Sequence, residues 1–422
     1  MKKKCILLSI LILTVILSGC YSSDNNDKKQ VIFLNNFITM SDKLTEYEKN
    51  FEKLHPDIDV KIESIGDKYE DISIVRLNSN KAGDVMVIPS YMSQEYYKDY
   101  YEPLYSTSDA LKKYRFSNIK SIDGKVYSIP LSMNISGGIL YDMKVLNDAG
   151  IENPPESLDE LKEALKSIKS KGDAIPLYSN ARGESQLTFW NSLIYSLEGD
   201  ANYNNTLLNK NNLFSPESEY YNVYKFLYEC VSENLIEEPF VSSKWEDGIN
   251  LIEEGKLGAA VVSLDMYNQA KKVALNSDSI VYEPLKNSDG EYYLYGEPSY
   301  GIGINKESNN KEEAKMWLEY LLDDTDFLEF AGDTSMLEKN PESNYEEYIN
   351  KDNVRIIYPS ETSEENIGKF EKIDNEACLG IYGGSFTFNL INEAASGKKS
   401  YEELCDEWNS KWNSALIQIN NN

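Results

Sequence analysis

Hydrophobic positions along this chain change period several times, and each change marks an element. Val31-Ile32-Phe33-Leu34 is continuously apolar, which predicts a strand buried on both faces. Leu44, Tyr47, Phe51 and Leu54 then recur at helical spacing, with Ser41 placed to cap the helix and His55-Pro56 to stop it. Ile58, Val60 and Ile62 alternate as a second strand. Another helical segment leads to Gly83-Asp84-Val85-Met86-Val87-Ile88-Pro89, a third buried strand with proline at its exit. Strand and helix in alternation predict a parallel α/β sheet.

Residues 121–150, SIDGKVYSIPLSMNISGGILYDMKVLNDAG, break this rhythm. Asp123-Gly124 is a turn signal between two short apolar runs, Pro130 interrupts the second, and Gly137-Gly138 lets the chain change direction. From the residues alone, this is either a hairpin followed by a loop or a passage between two units. A helix follows, with a capping box at Ser157 and Glu160 and an apolar stripe of Leu158, Leu161, Leu165 and Ile168. Ile175 to Tyr178 reads as a strand, and Ser215-Pro216 as the start of a helix. Trp245 heads a helix ending near Gly255, followed by a strand at Ala259 to Val262. Residues 295–304 form a Gly-rich strand, and 309–322 a helix with Ala314, Trp317, Leu318, Leu321 and Leu322 on one face. In the closing helix, Ser400 and Glu403 make a second capping box. Leu404, Trp408, Trp412 and Leu416 fall every fourth residue there, which places both tryptophans in a core.

Taken in order, DGKVYSIPLSMNISGGILYDMKVLNDAGI with PPESLDELKEALKSI resembles the crossover region of bacterial extracellular solute-binding proteins of the carbohydrate type, the maltodextrin-binding relatives. FEKLHPDIDVKIE and GDVMVIPS are similar to that family's first lobe, and WEDGINLIEEGKLGAAVVSLDMYNQA and LINEAASGKKSYEELCDEWNSKW to later blocks. The resemblance spans most of residues 31–415. It implies a two-lobe, type II periplasmic-binding-protein-like α/β fold, each lobe a mainly parallel sheet flanked by helices, joined by a hinge. One lobe would comprise residues 31–132 and 282–335, and the other 133–281 and 336–422.

The N-terminus stands apart. Lys2, Lys3 and Lys4 precede an apolar stretch from Cys5 to Leu17, too short for a comfortable span, that ends in Leu17-Ser18-Gly19-Cys20. This matches a bacterial lipoprotein signal over 1–19, with Cys20 to carry the lipid and residues 20–30 as a polar tether. About 400 remaining residues exceed one ordinary core, so two domains are expected. A formal charge of −28, from 42 Lys+Arg against 70 Asp+Glu, repels nucleic acid and anionic lipid. Outside the signal and Cys20, three cysteines are left: Cys230, Cys378 and Cys405. They read as small buried hydrophobes, with a Cys378–Cys405 bridge as the alternative.

Catalytic chemistry is scarce. The one histidine, His55, sits at a helix end, so a Ser-His-Asp triad has nothing to build on, and no GxSxG, Walker A or GxGxxG motif occurs. His and Cys are too few and too scattered for zinc, and no cofactor is implied. Tyrosine is plentiful, at 31 residues. Sugars offer apolar C–H faces edged with hydroxyls, which rings cover and amides or carboxylates satisfy. Tyr96-Tyr97 and Tyr100-Tyr101 nonetheless read as half-buried or core. Open α/β sheets bind ligands beyond the carboxyl ends of their strands. On that rule and by family position, the resemblance implies a ligand site from Asn36, Asp67, Tyr91, Asn134, Gln186, Trp190, Trp245, Asp265, Tyr267, Tyr300 and Tyr382. Asn134 stands where the maltodextrin-binding branch often has a carboxylate, and Asp265 or Tyr267 where it has a tryptophan, which argues against maltose itself. The implied function is a monomeric, non-enzymatic lipoprotein on the extracellular face. It would capture a mono- or oligosaccharide and pass it to the permease of an ABC transporter. The alternatives are the same fold with a peptide, polyamine or organic anion, a sensor role, or a lipid-anchored glycan-processing enzyme or adhesin.

Overall fold

The computed structural model describes residues 28–66, 68–90, 92–182, 186–323 and 353–421. The signal segment, Cys20, most of the tether, Asp67, Tyr91 and the expected boundary at 335/336 lie outside them. Lys29 and Gln30, read from sequence as tether, open the first strand.

That strand, β1 (Lys29–Asn35), is followed by α1 (Ser41–Leu54), β2 (Ile58–Ser64), α2 (Tyr69–Asn78) and β3 (Val85–Val87), with β2 and β3 both parallel to β1. A single tight turn over Ile38–Met40 runs directly into α1, so Ser41 is the helix's first residue and its side chain caps nothing. Tyr105–Ser106 (β4) and Lys125–Val126 (β5) pair as a small ribbon. The Asp123-Gly124 turn before β5 has both residues at positive φ, as the sequence signal requires.

The crossover comes next. β6 (Ile129–Ser136) and β7 (Gly138–Asp142) are separated by Gly137 alone, at φ +82°. A Cβ there would lie 2.0 Å from the Ser196 hydroxyl, so only glycine passes. A passage between units, not a hairpin and loop, is what the chain makes here, because β6 and β7 belong to different sheets. The second lobe follows with α3 (Leu158–Lys171), β8 (Ile175–Tyr178), α4 (Phe189–Glu198), α5 (Glu219–Ser232), α6 (Trp245–Glu253), β9 (Leu257–Val262), α7 (Leu264–Val273) and β10 (Ile280–Glu283). α5 begins later than its proline suggests. Residues 215–218 close a turn, and Ser218 is the cap.

The chain returns as β11 (Tyr292–Ile304), α8 (Lys311–Asp323) and β12 (Val354–Ile357), and ends in α9 (Lys369–Ala377), α10 (Ser385–Ser396) and α11 (Tyr401–Asn420). Ser400 and Glu403 form the reciprocal capping box of α11. The first sheet runs β12-β11-β3-β1-β2, with β6 also on β11, and the second runs β10-β7-β9-β8. β1, β2 and β3 are parallel, as are β8 and β9. By contrast, β11 is antiparallel to β3 and β6, and β7 is antiparallel to β9 and β10, so both sheets are mixed and not mainly parallel as the resemblance implies. The antiparallel strands are those that follow a crossing: β7 enters the second sheet after Gly137 and β11 enters the first after β10, and a third passage, between β12 and α9, adds no strand.

Each lobe has its own core. Phe33, Phe51 and Trp317 belong to one, and Trp190, Tyr224, Trp408 and Trp412 to the other. A third cluster packs the hinge residues Met133, Ile135 and Leu294 against second-lobe residues such as Leu140, Leu257, Val262 and Tyr282. The result is a two-lobed α/β architecture of the periplasmic-binding-protein type. All three cysteines are free. Cys230 and Cys405 are buried as expected, but Cys378 is exposed, just past the end of α9, and forms no bridge.

Candidate ligand-binding cleft

β6 reads IPLSMNIS, and its alternation sorts the strand into two faces. Met133 and Ile135 turn into the hinge core, which leaves Ser132, Asn134 and Ser136 on the other side. β11 lies antiparallel to it, with Glu297 opposite Asn134 and Ser299 opposite Ser132. Directly opposed residues share a face, so these polar side chains form one strip. The Ser132 and Ser299 hydroxyls are 2.6 Å apart and close one end of it. Tyr295 is covered by the Tyr195 ring of α4, at 5.0 Å between centroids. Between these covered ends, Asn134 is half-buried and Glu297 exposed.

The strip is the floor of a gap between the lobes. β6 leaves the first sheet on the side where β1, β2 and β3 have their carboxyl ends, and Gly138 enters the second opposite Val262, the carboxyl end of β9. Both sheets therefore direct their strand ends at the same space, where α/β ligands bind.

Tyr382 shows what that space is like. Its side chain is 44% exposed. Yet Glu371, Glu297, Tyr97 and Tyr195, drawn from both lobes and the hinge, act on its phenol, and desolvation holds its pKa well above the ordinary value. A ring both exposed and surrounded faces an internal cleft. Glu297 behaves alike: desolvation raises its carboxyl above 4.5, Lys120 pulls it back and Glu371 pushes it up. Glu371 on α9 is also raised by desolvation, against the Ser93 hydroxyl, Lys120 and the Tyr382 hydroxyl. Lys120 is held above its ordinary range by Tyr97 first, with Glu297 and Glu371 adding to it against desolvation. One cation thus acts through space on two carboxylates, one in the hinge and one on α9, with no direct ion pair to either among the described residues. At the rim, the lobes are tied by the Glu95–Lys372 ion pair and by a 2.8 Å hydrogen bond from Ser121 to Glu361.

Of the residues named from sequence, the structure brings Asn134 and Tyr382 together around Glu297. Asn36 is half-buried just past β1, and its side-chain oxygen has no hydrogen-bond partner among the described residues. Gln186 is half-buried in the turn that leads into α4. Asp265 lies in the first turn of α7, just past the carboxyl end of β9, and Trp245 heads α6; the two meet through Gln269, whose amide accepts from the indole at 3.2 Å and donates to the carboxylate at 3.1 Å. Trp190 is 2% exposed in the second-lobe core and Tyr267 3% in the hinge cluster, so neither ring offers a free face in this conformation. Tyr300 lies in β11 next to the strip. Sequence reading passed over Tyr97, Lys120, Tyr195, Tyr295, Glu297 and Glu371. The signal for Glu297 was present: YGEPS alternates as MNIS does, and the pairing of the two segments puts their polar positions on one side.

Among the described residues, no group of three or more His, Cys, Asp or Glu is placed to hold a metal ion. The family model for bacterial extracellular solute-binding proteins matches residues 39–326. The chain belongs to this family. Such proteins bind and deliver, and they are not enzymes. This solute-binding protein is 25% identical over 346 residues to the melibiose/raffinose/stachyose-binding protein MelE of Bacillus subtilis, a match covering 79% of this chain and 80% of MelE. Among solved structures, it is similar to BlMnBP1, a binding protein of an ABC transporter from Bifidobacterium animalis subsp. lactis in complex with mannobiose. The TM-score is 0.79 at 28% identity, over 93% of this chain and 96% of that one. A manno-oligosaccharide-specific solute-binding protein of the same organism, BlMnBP2 in complex with mannotriose, gives 0.79 at 26% identity over 94% and 96%.

Proposed function

We propose that this solute-binding protein captures an oligosaccharide between its lobes and delivers it to the permease of an ABC importer, acting as a monomer held by lipid at Cys20. The observation that carries the reading is the cleft itself: exposed Tyr382 beside Asn134, Glu297 and Lys120 supplies a ring for a sugar face and both acceptors and donors for its hydroxyls. Near-full-length similarity to two proteins solved with manno-oligosaccharides supports the same ligand class. The hinge strands let the lobes rotate, and the sugar favours the closed form by contacting both. Peptides and organic anions fit less well, because the cleft sets two carboxylates, Glu297 and Glu371, against the single charge of Lys120.

Titrating the mature chain with mannobiose, mannotriose, raffinose and stachyose while following thermal unfolding tests this. A bound sugar at a hundred times its Kd stabilises the fold by about 2.7 kcal/mol, a rise of several degrees. No rise with any sugar of a broad panel overturns the proposal.

The lipid has its own measurement. Acyl chains contribute roughly 0.8 kcal/mol per buried CH₂, so two or more hold a protein durably at a bilayer. Cys20→Ala is expected to abolish palmitate incorporation and move the protein from the membrane fraction to the medium. Retention of the variant at the membrane would contradict the anchor.

A further inference from the structure

A groove of about 340 Å³ runs between the lobes beside the cleft, with Leu77 and Asn78 of α2 and Met92 and Tyr96 on one wall and Lys372 and Asn375 of α9 on the other. We infer that this groove is an outer sugar subsite, which takes the terminal residue of an oligosaccharide whose inner residues lie in the cleft. The inference rests on the sugar-binding reading above.

Continuity is the first argument. Glu371 lines the groove and also stands beside Tyr382 and Lys120 in the cleft, so the two spaces share a wall. A chain lying along the polar strip and past Tyr382 is led into the groove.

The lining is the second. Tyr96 is 48% exposed while its neighbour Tyr97 is 3% exposed, so one ring of the pair packs in the first-lobe core and the other lines the groove with an open face. Its charges are largely matched, since Glu95 pairs with Lys372 across the two walls. What is left for recognition is a phenol ring, the half-buried Met92, the Glu371 carboxylate, and the amides of Asn78 and Asn375. Asn78 is held by its oxygen, which accepts the Tyr100 hydroxyl at 2.8 Å. A ring flanked by neutral amides suits a neutral polyhydroxylated ring rather than an ion. Because the walls belong to different lobes, a sugar unit here also ties the lobes together. Affinity should therefore grow with chain length.

Calorimetry on the mature chain with mannobiose, mannotriose and mannotetraose, and in parallel with raffinose and stachyose, tests this. In the wild type the longest sugar of the recognised series binds more tightly than the shortest. Tyr96→Ala and Asn375→Ala each lower affinity for the longest sugar by about tenfold and leave the shortest within about twofold. Equal length dependence in wild type and both variants overturns the subsite while leaving the cleft reading intact. So does loss of the shortest sugar in the variants, which would make the groove part of the primary site. Failure of every sugar to bind the wild type overturns both readings together.

Discussion

Tyr382→Ala lowers affinity for the cognate sugar by about tenfold to a hundredfold, or roughly 1.4 to 2.8 kcal/mol, and leaves the ligand-free melting temperature nearly unchanged. The ring is exposed within the cleft, so its removal costs the fold little burial. The loop that carries it is fixed from behind: Asp374 accepts the backbone N–H groups of Ile381 and Tyr382, both at 3.0 Å. Truncation therefore subtracts the stacking surface and not its support. Tyr382→Phe, which keeps the ring, should recover most of the loss if stacking is the main contribution. Calorimetry separates the cases: an affinity unaltered by the alanine variant would remove Tyr382 from the site.

The second large effect is electrostatic. Lys120→Met leaves Glu297 and Glu371 facing each other across the cleft without their shared cation, and closure brings the two carboxylates nearer in a medium poorer in water. Lys120 is only half-buried, so solvent screening reduces the penalty, and a loss of about 1 to 2 kcal/mol in sugar affinity is expected. The companion variant decides the cause. Adding Glu371→Gln removes the repulsion and should restore much of the affinity, a coupling that a double-mutant cycle reads directly. If the double variant is as weak as Lys120→Met alone, the lysine contacts the ligand by itself and the shared-cation account fails.

Period and punctuation carried much of the architecture. Val31-Ile32-Phe33-Leu34, the GDVMVIPS strand and the Ser400–Glu403 box needed no tertiary information, because each is specified by burial or by capping within a few residues. The helix before His55-Pro56 was equally plain at its end, though its start was not: Ser41 looks like a cap only if the preceding residues are extended, and Ile38–Met40 are instead a helical turn. The site was less legible for a physical reason. Glu297 gains its surroundings from a strand far away in sequence, and Lys120 and Glu371 meet only because the lobes do. Trp190, attractive as a sugar platform by position, packs against Phe226 and the second-lobe core instead. An aromatic at helical spacing says which helix face it occupies, but not whether that face meets solvent or core.

The three passages through the hinge also govern how the molecule can be made. Val87 must wait for Ile302 before the first sheet acquires its fourth neighbour, and β11 in turn waits for Val354 to Ile357. Neither half is a contiguous stretch, so no N-terminal or C-terminal fragment holds a finished globule. Such distant pairings are slow to form, and the nascent chain stays incomplete until most of it has been translated. For a protein of an extracellular family, this delay keeps the polypeptide threadable during the interval in which it must leave the cell.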